Sequence, residues 1–77
     1  MNIDHLIKMA NEIGSFWKGE VGDAAPNEVA THLKRYWEPR MRAQMISYFE
    51  ERHGAGLSDV ALKAVQLLAT QAKAPAG

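Results

Sequence analysis

The stretch "LKRYWEPRMRAQMISYF", Leu33 to Phe49, decides between one long helix and two shorter ones. Leu33, Tyr36 and Trp37 before the proline, and Met41, Met45, Tyr48 and Phe49 after it, keep the three- and four-residue spacing of amphipathic helices. Pro39 disfavours the helical conformation of Glu38, the residue before it, yet suits a first helical turn, where its missing N–H is no loss. The spacing therefore predicts a helix over 26–37, a bend at Glu38-Pro39 and a second helix over 39–52.

Upstream, "GEVGDAAPN" at 19–27 has loop composition, with two glycines, Asp23 and Pro26, and Pro26 also suits the first turn of the helix that carries Val29 and Ala30. Before it, Ile3, Leu6, Ile7, Ala10, Ile13, Gly14 and Trp17 predict a helix over 2–17, with the short polar side chain of Asn2 capping its start. Downstream, "HGAG" at 53–56 closes the third helix. Ser58 is a good N-cap for a fourth over 58–72, with Leu57 placed to pack on Leu62, and 73–77 reads as a frayed tail. No strand pattern, repeat or low-complexity segment competes, so the expected fold is all-α: a single domain over 1–77, a small bundle of four short helices with a proline bend between the second and third.

A chain of 77 residues buries only about 60–65% of its unfolded surface, and its core supplies roughly 3–5 kcal/mol. There is no cysteine, which points to a reducing, cytoplasmic setting, and His5, His32 and His53 lie too far apart for a structural zinc set. Docking onto a partner is the remaining source of stability. Nine Lys and Arg balance nine Asp and Glu, which removes the positive field that most nucleic-acid binders use. No apolar run reaches the roughly 18 residues of a spanning helix, and Asp4 stands where a signal peptide would be positive.

Some apolar residues fall off the main stripes: Met9 and Phe16 in the first helix, beside Ile3, Leu6 and Ile13, and Leu62 and Ala69 in the fourth, beside Val60, Ala64, Leu67 and Leu68. The surplus makes either an unusually full core or an exposed patch for a partner.

Catalytic constellations are thin. Glu50 and His53 have the Glu-x-x-His spacing of di-iron bundles, but the second such pair is missing, and they read as solvated residues at a helix end. Glu28 and His32 sit one turn apart without a third ligand, which suits a surface hydrogen bond. Ser15, Ser47 and Ser58 lie in no nucleophile motif, Asp59 suits the positive end of the fourth helix, and the glycine pairs lack the strand that a phosphate loop needs. Lys34, Arg35, Arg40 and Arg42 give nucleic-acid binding its best case, but the proline bend and Glu38 divide them. Trp37, Met41 and those four cations are instead the residue types of interface hot spots, with the arginines expected to project from the bend.

"HLIKMANEIGSFW" at 5–17 and "HLKRYWEPRMRAQM" at 32–45, in that order in so short a chain, resemble the small delta subunit of cytoplasmic, NAD-dependent, molybdenum-containing formate dehydrogenases. The similarity covers nearly the whole chain. It implies a noncatalytic accessory subunit of a complex that oxidises formate to CO2 with reduction of NAD and can run in reverse. In such complexes the alpha subunit holds the molybdenum bis-pterin guanine dinucleotide and iron–sulfur clusters, and the beta and gamma subunits hold FMN and further clusters. No cofactor or metal is expected on this chain, which lacks cysteine for clusters.

On that resemblance the chain would dock on the alpha subunit and stabilise it, with neither nucleic acid nor membrane as partner. Trp37, Pro39 and Met41 would set the bend, and Arg40 and Arg42, with Lys34 and Arg35 beside them, would meet acidic groups or carbonyls of the partner. His5, Asn11, Phe16 and Trp17 would complete that surface or the packing beneath it. Two alternatives stay open: a transient maturation factor for molybdenum cofactor insertion, and a small nucleic-acid-binding helical domain.

Overall fold

The computed structural model describes residues 2–17 and 24–73. They form four helices: α1 (Ile3–Ser15), α2 (Ala24–Tyr36), α3 (Pro39–Arg52) and α4 (Asp59–Lys73), with no strand among the described residues. The chain is an all-α bundle.

The local signals act as their chemistry dictates. Asn2 is extended and its Oδ1 accepts from the Asp4 N–H at 2.7 Å, satisfying one of the free amides of α1. α2 closes with the Trp37 N–H donating to the Leu33 carbonyl at 3.0 Å, and Glu38 is extended at φ −65°, ψ 152°, as a residue before proline must be. Pro39 then opens α3 at its first position. Ser58 caps α4, its Oγ accepting from the Ala61 N–H at 3.3 Å.

Several boundaries differ from the sequence expectation: α1 stops at Ser15, short of position 17, and α2 at Tyr36, one residue before 37. α2 begins at Ala24, two residues before the expected start at Pro26, because Pro26 in the third position still falls among the amides that need no partner. α4 reaches Lys73, one residue into the expected tail. The remaining loop positions, 18–23, and tail residues 74–77 lie outside the described residues.

α4 packs on each of the other three helices, and its interface with α2 is the most extensive in the bundle. Its buried face is Ala61, Ala64, Val65, Leu68 and Ala69, rather than the stripe of Val60, Ala64, Leu67 and Leu68. Alanines let helix axes approach closely, so they form the centre of the packed face while the bulkier Val60 and Leu67 lie at its margins. Leu6 and Ala10 of α1, Val29, Ala30 and Leu33 of α2, Trp37 and Met45 complete the core. Among the described residues no buried side-chain nitrogen or oxygen lacks a hydrogen-bond partner.

The loop from α3 to α4 is a left-handed turn. His53, Gly54 and Gly56 have φ of 58°, 73° and 92°, conformations that glycine adopts without strain. A Cβ on Gly54 would collide with Leu62 Cδ1 and lie 3.2 Å from Leu57 Cδ1, so both leucines close over the glycine.

Candidate partner-binding surface

The junction of α2 and α3 is held by Arg42. Its Nη1 donates to the Lys34 carbonyl at 2.8 Å and to the Trp37 carbonyl at 2.7 Å, two groups that the end of α2 leaves without helical partners. Its backbone N–H bonds the Glu38 carbonyl at 3.1 Å, closing the first turn of α3. Trp37 is 5% exposed and belongs to the core. Met41 is half-buried and packs against that core, whereas Lys34, Arg35 and Arg40 are exposed.

Arg42 thus turns its Nη1 onto its own backbone, where the sequence reading has it projecting from the bend. A cation at the last turn of α2 is favoured by the helix dipole, and nearby carbonyls of its own chain take the fork that was assigned to another molecule. Arg40, two positions away and on another side of α3, has the exposure an intermolecular contact needs.

Asn11 also works within the chain. Its Nδ2 donates to the Gly56 carbonyl at 2.9 Å and its Oδ1 accepts from the Ser58 N–H at 2.8 Å, so one side chain ties α1 to the start of α4. His5 is exposed on α1. Residues 5 and 11 are not brought to the α2–α3 junction by any contact of their own.

The surface the structure does assemble lies where the end of α1 meets α2. Phe16 is 80% exposed, and its ring stands edge-on to Trp17 with centroids 6.3 Å apart. Trp17 stands edge-on to His32 at 6.2 Å, and His32 lies 4.6 Å from Tyr36 at a tilt of 44°. Tyr36 is 67% exposed. Four rings, two just past the end of α1 and two on α2, thus form one row, open to solvent at both ends.

Sequence reasoning included Phe16 and Trp17 in the surface but omitted His32 and Tyr36, placing Tyr36 on the inner stripe. The signal was present: Tyr36 is four residues after His32 and one before Trp37, so burying Trp37 turns Tyr36 about 100° away, onto the His32 flank. The other off-stripe residues go to packing, since Ala69 is buried and Met9 lies against the core. Only Phe16 of that group stays open.

Several of the groups weighed for catalysis have structural duties. Ser15 Oγ donates to the Glu12 carbonyl at 2.6 Å, Ser58 is a helix cap, and His53 is the left-handed end of α3. His32 stacks between rings, and Glu28 is exposed one turn before it. Among the described residues no three His, Cys, Asp or Glu side chains converge to hold a metal ion. No helix among them is long and apolar enough to cross a membrane.

Comparison with known proteins adds one finding. The model of a family described as NADH-dependent formate dehydrogenase delta subunit FdsD matches residues 5–65, more than half of the chain. Searches of the curated proteins and of the solved structures gave no match.

Proposed function

The chain belongs to the delta subunit family of NADH-dependent formate dehydrogenases, and from that premise we propose that it is a noncatalytic subunit that docks on the molybdenum-bearing alpha subunit and stabilises it. The observation that carries this reading is the row of rings at the end of α1 and α2. A small bundle that leaves Phe16 and Tyr36 largely exposed carries apolar area whose burial against a partner is favourable, at about 25 cal/mol per Å².

The donor chemistry supports the division of labour. Iron–sulfur clusters require thiolates, and the chain has no cysteine. The clusters would therefore reside on other subunits, and the family resemblance implies the same for the molybdenum centre, FMN and the NAD site, on the alpha, beta and gamma subunits of a cytoplasmic complex. Binding to the folded, cofactor-loaded alpha subunit stabilises that state by mass action, and the bundle gains stability in return.

Co-expression of a tagged chain with the formate dehydrogenase subunits, followed by size-exclusion chromatography with subunit quantitation, tests the proposal. Stoichiometric co-elution with the alpha subunit, retained when beta and gamma are omitted, is the expected result. Active, cofactor-loaded enzyme that elutes without the chain would overturn it in favour of a transient maturation factor.

A further inference from the structure

We propose that the docking face is the Phe16–Trp17–His32–Tyr36 row with Arg35 at its edge, and that it fits an apolar pocket on the alpha subunit flanked by carboxylates. The inference rests on the accessory-subunit reading and specifies which face of the bundle carries it.

An aromatic side chain buries about 150–250 Å² when covered, so Phe16 at 80% and Tyr36 at 67% exposure offer on the order of 300 Å². That matches the central patch of an interface whose polar rim supplies the rest of roughly 800 Å² per partner. The two inner rings keep the outer ones in place: Trp17 packs against the core, and His32 is half-buried between Trp17 and Tyr36. An anchor that is already ordered loses little conformational freedom on binding.

The sign of the partner's rim follows from the charges around the row. Arg35 lies three residues after His32, on the same flank of α2, and is exposed, as are Lys34 and Arg40 near the same helix end. Glu38 is the single acid among them. Glu28, one turn before His32, lies in the first half of α2, whereas Glu12, one turn before Phe16, sits in the last turn of α1 and places an acid at the α1 end of the row. The α2 end of the row is therefore net positive and complements carboxylates. Arg42 takes no part, because its Nη1 holds the carbonyls of Lys34 and Trp37.

The test is quantitative pull-down of the alpha subunit by the purified chain over a range of salt, with helicity followed by circular dichroism. Phe16→Ser with Tyr36→Ser should keep the helical signal and weaken association about 30-fold or more, the loss expected when interface anchors are removed. Arg35→Glu should weaken it several-fold at low salt and converge on wild type at high salt. Wild-type binding by the aromatic variant, or tighter binding by Arg35→Glu, would overturn the inference. Loss of helicity in the aromatic variant would also overturn it, by assigning the rings to the bundle's own packing. If the wild-type chain itself does not bind, the accessory-subunit reading fails first.

Discussion

Arg42→Met removes the guanidinium and keeps most of the alkyl stem, so it isolates the two hydrogen bonds at the α2–α3 junction. Each is a charged donor on a neutral carbonyl, at 2.8 and 2.7 Å, a class worth roughly 1.5–3 kcal/mol when well shielded. Arg42 is half-buried and the Lys34 contact is exposed, so water replaces much of the first bond and the lower end applies. Loss of a favourable cation at the end of α2 adds about 0.3–1 kcal/mol, and the freed side chain regains some rotamer entropy. The net expectation is about 2 kcal/mol of destabilisation. At about 4–8 °C per kcal/mol for a domain of this size, Tm falls by roughly 8–16 °C. Thermal and urea unfolding followed by far-ultraviolet circular dichroism measures it, with Arg40→Met as the exposed control expected within about 0.5 kcal/mol of wild type. Arg42→Lys should recover about half of the loss, because a point charge reaches one carbonyl more readily than two. An Arg42→Met chain as stable as the Arg40→Met control would refute the reasoning and return Arg42 to the pool of partner contacts.

Other expectations follow from single positions. Asn11→Ala removes both bonds that tie α1 to the turn before α4 and should cost about 1–2 kcal/mol, with faster amide exchange at Ser58 as the local readout. Gly54→Ala should lose about 2–4 kcal/mol, from strain at φ 73° and collision with Leu62. Gly14→Ala should gain about 0.5–1 kcal/mol, since a Cβ there meets ordinary contacts of 3.6–3.7 Å inside a helix; denaturation midpoints of this glycine pair should move in opposite directions. Trp37→Ala should cost about 3–5 kcal/mol as a core deletion, and a variant that stays folded but loses only the alpha subunit would instead place Trp37 at the interface.

Much of the fold was legible in local chemistry. Asn2, Ser58 and Pro39 act on amides and dihedrals within four residues of themselves, so their effects are written in the neighbouring sequence and the structure repeats them. The family was legible for another reason: the stretches 5–17 and 32–45 carry the resemblance in order, and the family model matches residues 5–65. The faces were less so. Reading α4 by side-chain bulk favoured Val60 and Leu67, whereas close helix approach puts Ala61 and Ala64 at the centre.

The sequence by itself determined four helices, a stop at Glu38-Pro39 and a chain without the thiolates that clusters require. Tertiary structure alone decided that Arg42 turns inward while Arg35 and Arg40 stay exposed, that Asn11 reaches a loop 45 residues away, and that Tyr36 joins His32, Trp17 and Phe16 in one row. Caps and proline constraints depend on bonds a few residues apart. The direction a side chain faces depends on which helix packs beside it, and that is fixed only when the whole core closes around α4.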